Sequence, residues 1–195
     1  MPQWVIQPVP LNIQASERWK RRIRTWEFAT GLWILVVGTL LHFVFEWSGD
    51  WRPIAVFVPV NESVWEHCKL AVWPGVWFSL VQYGLMKDRP SAFVTAKCLG
   101  LISMPAAIIG LFYAYTAILG KHLLALDILI FVLSIITGQY ISYAVCIRPP
   151  MGMPWRLLAL LGLMLLLAAF CVFSFVPPHA ALFEHAGTGA YGILE

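Results

Sequence analysis

Five apolar stretches, each about as long as the ~20 residues that an α-helix needs to cross a bilayer, dominate the sequence. Short segments rich in glycine, proline and charge separate them, for example at residues 49–50 and 87–90. Only 12% of the 195 residues are charged, whereas a typical soluble domain has about 25%. The pattern predicts an all-α fold, a polytopic transmembrane helical bundle of about five spans.

The predicted bundle covers residues 27–176 as a single unit. Its spans are expected at residues 28–47, 62–86, 92–119, 123–147 and 157–176. Residues 1–26 are polar to amphipathic and include a cluster of basic side chains, which predicts a cytoplasmic segment at the membrane interface. No cleavable signal peptide is expected, and residues 177–195 form an external tail.

Lysine and arginine are unevenly distributed between the two sides of the predicted bundle. One side receives the basic residues of the N-terminal segment, together with Lys87, Arg89, Arg148 and Arg156. The other side has only Arg52 and Lys121 in its loops. Because cytoplasmic loops carry the excess of basic residues, the N-terminus is expected in the cytoplasm and the C-terminus outside. We therefore expect a multi-pass protein of the cell (cytoplasmic) membrane.

The lipid bilayer is the expected partner, and nucleic acid is not. The net charge of +3 is explained by the basic residues next to the predicted spans, and no separate basic stripe remains for a nucleic acid. The four cysteines contain no CxxC pair, so they predict buried thiols and no disulfide framework.

Residues 61–69, with the sequence Asn-Glu-Ser-Val-Trp-Glu-His-Cys-Lys, are unusually polar for this chain. A charged group at mid-bilayer costs roughly 2.5–3.5 kcal/mol on insertion scales. His42 and Glu46 close the preceding apolar run with the same chemistry. All five histidines fall at the predicted outer end, so the clustering indicates that this end has a function.

The spacing of the polar residues suggests how they converge. His42 and Glu46 are four residues apart and share one helix face, and Glu62 and Glu66 repeat that spacing on the next helix. Antiparallel neighbours would bring both pairs to one depth, giving a site for a hard-to-borderline divalent metal ion, zinc-like or another. His67 points about 100° away from Glu66, so it is expected to meet the tail or Asp127.

The predicted site combines metal ligands with catalytic carboxylates. The catalytic candidates are Glu62 and Glu66. The predicted metal ligands are His42, Glu46, Glu62, Glu66, His67 and, from the tail, His179. Each residue also has a structural interpretation: Ser63 and Glu66 match a capping box, and Lys69 would neutralise a carboxylate.

Three functions remain open at this point. A metal-dependent membrane hydrolase would hold a water on the ion and use a base such as Glu66. A proton- or cation-coupled transporter would use the same carboxylates and a hydrated path from Glu66 towards Gln139. A non-catalytic assembly or interaction protein would only pair these groups with each other. The chain contains no GxSxG, HExxH or P-loop motif, so whether it is an enzyme is left open.

Two motifs carry a family resemblance. HxxxEW at residues 42–47 and NESxWEHxK at residues 61–69 resemble a family of small uncharacterised prokaryotic multi-pass membrane proteins. The tail at residues 177–183 and 191–193 is also similar to the end of that family. The resemblance implies a multi-pass helical bundle and brings no established activity with it.

Overall fold

A computed structural model describes residues 13–193, with side chains from Glu17 onwards. Residues 1–12 and 194–195 lie outside the described part. The first of these two ranges belongs to the predicted interfacial segment, residues 1–26. The described chain forms five α-helices: α1 (Ile13–Trp47), α2 (Val64–Leu85), α3 (Phe93–Leu119), α4 (Leu124–Cys146) and α5 (Met153–Phe173). Two short 3-10 helices, Arg52–Val56 and Ala181–Phe183, follow α1 and α5. The described residues form no β-strand, and the predicted all-α bundle is confirmed.

Four of the helices are long and apolar enough to cross a membrane. They are Glu17–Trp47 within α1, Phe93–Leu119, Leu124–Cys146 and Met153–Phe173. The second predicted span, α2, is not among them, and it carries Glu66, His67 and Lys69 close to its start. Most of its first half is nevertheless buried, including the charged side chains of Glu66 and Lys69. The charged first half of α2 is therefore packed inside the bundle.

The start of α2 is fixed by side-chain capping. The Ser63 hydroxyl accepts a hydrogen bond from the backbone N–H of Glu66 at 3.3 Å, which satisfies one of the free donors at the helix start. The Ser63 N–H in turn donates to Oδ1 of Asn61 at 2.9 Å. This part of the predicted capping box is confirmed, whereas the reciprocal bond comes from Asn61 and not from Glu66. The helix therefore begins at Val64, and Glu62 belongs to the preceding loop.

The helices pack in a ring, with α5 against the outside. α1 contacts α2 and α4, α3 contacts α2 and α4, and α5 contacts α3. The closest approach of α3 and α4 uses two glycines: a Cβ added to Gly100 would lie 2.7 Å from the carbonyl oxygen of Gly138. A Cβ on Gly138 would likewise lie 2.9 Å from the carbonyl oxygen of Gly100. These two helices touch backbone to backbone.

The segment after α5 folds back over the end of the bundle where α2 begins. Phe183 is buried and packs on Trp65 of α2, with ring centroids 5.2 Å apart. The amide Nδ2 of Asn61 donates to the carbonyl oxygen of Gly192 at 2.8 Å. The tail and the loop before α2 are therefore joined by both apolar and polar contacts.

Candidate metal site

Three side chains from α1, α2 and the loop between them converge at one end of the bundle. His42 comes from the last turns of α1, His67 from the first turns of α2, and Glu62 from the loop just before α2. One ligand atom from each lies within 4.8 Å of the other two. Their convergence depends on the packing of α1 against α2, which residues 48–63 connect.

The distances among the three groups suit a small tetrahedral ion. The Nε2 atoms of His42 and His67 are 3.2 Å apart. Oε2 of Glu62 lies 3.3 Å from the His67 Nε2, and Oε1 of Glu62 lies 3.7 Å from the His42 Nε2. Two ligands at the zinc–nitrogen distance of about 2.0–2.1 Å and at a tetrahedral angle are about 3.3 Å apart. The residues therefore fit a zinc-sized ion with little rearrangement.

A backbone carbonyl fixes the orientation of His67. Its Nδ1 lies 2.8 Å from the carbonyl oxygen of Ser63. Since a carbonyl only accepts, Nδ1 carries a proton, and in the neutral ring the Nε2 lone pair therefore faces the group. Metal-binding histidines commonly donate their second ring N–H in this way, because it sets both tautomer and ring angle. The Nε2 of His42 then donates to that of His67 in the structure.

The charge at the site is concentrated on Glu62. When the two imidazoles are protonated, hydrogen bonds from His42 and then from His67 hold the pKa of this carboxyl below its usual range, so it is anionic at neutral pH. Its side chain is 54% exposed, so the group is open to the surface. The ring of Phe43 contacts His42 at 5.1 Å and places apolar surface beside it.

Glu66 serves a different cluster. Its carboxylate is 2% exposed and accepts from Nζ of Lys69 at 2.6 Å and from the backbone N–H of Val60 at 3.0 Å. The Ser174 hydroxyl of the segment after α5 also donates to it, at 3.3 Å. The prediction that Lys69 neutralises a carboxylate is confirmed. The expected pairing of Glu62 with Glu66 on one helix face is not formed, because Glu62 precedes the helix.

Two other predicted ligands lie apart from the group. The carboxylate of Glu46 is exposed and has no ion pair within the described residues. His179 is exposed and stacks on the ring of Tyr191, with centroids 4.7 Å apart. The structure thus brings together three of the six predicted ligands.

The partners of His67 and Asp127 differ from those expected. His67 meets His42 and Glu62, not the tail or Asp127, because Glu62 in the loop can bend towards the second turn of α2. Asp127, in the first turn of α4, accepts from the Tyr115 hydroxyl and lies 3.4 Å from Nδ1 of His122.

A second buried charged cluster was not predicted from the sequence. Nζ of Lys97 on α3 donates to both carboxylate oxygens of Glu27 on α1, each at 2.8 Å. The Ser142 hydroxyl of α4 donates to Oε1 of Glu27 at 3.0 Å. The sequence does contain a sign of this pair, because Lys97 lies inside the apolar run of α3. Charged residues within a membrane are almost always paired, so a partner could have been expected.

Residues 16–193 match the model of a family described as "Family of unknown function (DUF6512)". The chain belongs to this family. No curated protein and no solved structure matches the chain. Membership of an uncharacterised family, expected from the sequence motifs, is confirmed. His42, Glu62 and His67 all lie inside the region that DUF6512 covers.

Proposed function

We propose that this protein is an integral membrane protein that binds a divalent, zinc-like metal ion through His42, Glu62 and His67. The observation that carries the proposal is the convergence of three side chains, one ligand atom from each lying within 4.8 Å of the other two. The two Nε2 atoms are 3.2 Å apart, and each has a different carboxylate oxygen of Glu62 at 3.3 or 3.7 Å. The carbonyl-held orientation of His67 supports it, because it presents an unprotonated nitrogen to the group.

The donor set points to a site for chemistry more than to a purely structural one. Structural zinc sites in proteins are closed by four side chains, whereas catalytic sites use three and leave one position for water or substrate. Two imidazoles and one carboxylate are such a three-ligand set. A bound ion would act as a Lewis acid and lower the pKa of a water at the open position. We therefore propose, more specifically, that the protein is a metal-dependent membrane hydrolase.

Within this set each side chain has a defined task. His67 is oriented by the Ser63 carbonyl, and His42 is carried at the end of the long helix α1. Glu62 supplies the negative charge that a divalent cation requires. Glu66 is left out of the site, because its oxygens are engaged by Lys69, Val60 and Ser174.

We also propose that the site lies on the outer face of the membrane. Arg22 is 3.2 Å from Asp88, so the basic part of α1 and the turn after α2 share one end of the bundle. The His42–Glu62–His67 group lies at the other end of both helices. By the positive-inside rule the basic end is cytoplasmic.

A zinc titration of the purified protein in detergent tests the proposal. We expect one zinc ion per chain. The His42→Ala and His67→Ala variants should each lose more affinity than the roughly 10–100-fold that is lost when a hydrogen-bond partner of a metal ligand is removed. His122→Ala and His179→Ala are matched controls, because both histidines are exposed and outside the group. Zinc binding that survives the loss of both His42 and His67 would contradict the proposal.

A further inference from the structure

A small cavity lies between the helices, and none of its lining residues belongs to the His42–Glu62–His67 group. Its volume is about 10 Å³, which is close to the minimum of about 10–15 Å³ that a single water molecule needs. The polar part of its lining comes from all four helices of the ring: Thr30, Ser79, Lys97, Gln139 and Ser142.

Two polar groups at this cavity lack a full set of partners. The Lys97 ammonium has three N–H groups, and within residues 13–193 its hydrogen bonds go to the two oxygens of Glu27. Oε1 of Gln139 is buried and accepts no hydrogen bond from the described residues. Buried polar groups are normally paired with protein or with ordered water, so both groups call for a partner.

The hydroxyl groups at the cavity can accept but have no free proton. Thr30 donates to the carbonyl oxygen of Trp26 at 2.8 Å, and Ser79 donates to that of Gly75 at 2.7 Å. Ser142 donates to Glu27. The lining therefore offers one N–H donor and several acceptors.

A water molecule matches this arrangement of donors and acceptors. It accepts one hydrogen bond from Lys97 and donates two, to Gln139 and to a hydroxyl oxygen. A metal cation does not suit the site, because the Lys97 ammonium faces it. Polyatomic anions are too large for the cavity.

We propose that this cavity is a binding site for one internal water molecule that links the Glu27–Lys97 ion pair to Gln139. Removing a buried ion pair from water is costly unless the remaining donors and acceptors are satisfied. The water supplies the third partner of Lys97 and joins α1, α3 and α4 in one polar network.

Two buried methionines allow the water to be detected. Met104 is 1% exposed and lines the cavity, whereas Met86 is 2% exposed and packs in a separate cluster with Ile23 and Phe93. Hydroxyl radicals generated by X-rays from bound water oxidise adjacent side chains, and methionine converts readily to the sulfoxide. Hydrogen peroxide added to the solution instead oxidises those methionines that are exposed to solvent.

The experiment compares the two oxidants by mass spectrometry on the full chain in detergent. We expect X-ray radiolysis to oxidise Met104 several-fold faster than Met86, and peroxide to oxidise both slowly. Gln139→Leu removes one acceptor and should bring the Met104 rate down towards that of Met86. Equal radiolysis rates in the wild type would overturn the proposal, as would fast oxidation of Met104 by peroxide.

Discussion

Asn61 connects the tail, the start of α2 and the candidate metal site. Its Oδ1 accepts from the Ser63 N–H at 2.9 Å, and its Nδ2 donates to the carbonyl oxygen of Gly192 at 2.8 Å. The Ser63 carbonyl then accepts from Nδ1 of His67 at 2.8 Å. A single buried amide thus holds the residue whose carbonyl oxygen orients a proposed ligand, although the amide lies outside the ligand set.

Replacing Asn61 tests this positioning role. Asn61→Ala removes the acceptor for the Ser63 N–H, and we expect zinc affinity to fall by about 10–100-fold, as when other groups that orient a metal ligand are removed. Asn61→Asp keeps an acceptor for Ser63 and loses only the bond to Gly192, so most of the affinity should remain. Equal losses in both variants, measured by zinc titration, would show that Asn61 does not act through Ser63.

Lys69 has a structural role at the same end of the bundle. It is 0% exposed, and besides its ion pair with Glu66 it donates to the carbonyl oxygens of Ala55 at 2.8 Å and Val58 at 3.3 Å. It also contacts the Ser174 hydroxyl. One ammonium group thereby joins the loop after α1, helix α2 and the segment after α5.

Lys69→Met should strongly destabilise the fold, because it leaves the Glu66 carboxylate buried without a counter-charge. Losing one partner of a buried pair typically costs about 3–5 kcal/mol. The double variant Lys69→Met with Glu66→Gln should recover part of this loss. Thermal unfolding in detergent measures the effect, with the exposed Lys121→Met as control. If the Lys69→Met variant unfolded at the same temperature as the wild type, this structural role of Lys69 would be ruled out.

The contact between the helices α3 and α4 depends on a small residue on each of them. Gly100 and Gly138 face each other's carbonyl oxygens at distances that exclude a Cβ atom. Backbone groups cannot move aside as flexible side chains do, so any larger residue separates the helices. The contact matters beyond packing, since both glycines also line the proposed water cavity.

A matched pair of glycine substitutions in α3 tests this contact. Gly100→Ala places a methyl group 2.7 Å from the Gly138 oxygen, and we expect a loss of about 1–3 kcal/mol, as for other overpacked sites. In Gly110→Ala the methyl group meets nothing within 4 Å, so stability should be unchanged or slightly raised. Equal unfolding temperatures for the two variants would contradict the close contact.

The helical elements were largely predictable, because apolar length and breaking residues act locally. The end of α3 at Gly120, with φ at +68°, is one example. The site was less predictable, since Ser63 caps α2 one residue after Glu62 and so moves Glu62 out of the helical spacing. The pairing of Lys97 with Glu27 spans 70 residues of sequence, and only the packing of α1 against its neighbours brings the two together.

For the whole molecule, the two ends of the bundle carry different chemistry. The basic end has the Arg22–Asp88 ion pair, and the opposite end has the His42–Glu62–His67 group, the buried Lys69 and the folded tail. The buried Glu27–Lys97 pair and its proposed water lie on α1, α3 and α4 within the bundle. Orientation in the membrane therefore decides which compartment reaches the proposed metal site.

Single cysteines introduced in two loops test the proposed orientation. A membrane-impermeant maleimide added to intact cells should label Lys121→Cys, in the turn between α3 and α4, and not Lys87→Cys, in the turn after α2. The unsubstituted chain shows the background from its four native cysteines. The reverse labelling pattern would place the metal site in the cytoplasm.

Zinc X-ray absorption spectroscopy of the loaded protein tests the central proposal most directly. We predict a first shell of two imidazole nitrogens and oxygen ligands, with zinc–nitrogen distances of about 2.0–2.1 Å. One imidazole should be lost in His67→Ala, and the spectrum should be unchanged in His179→Ala. A sulfur-containing shell, or an imidazole contribution that His67→Ala leaves intact, would contradict a site built from His42, Glu62 and His67.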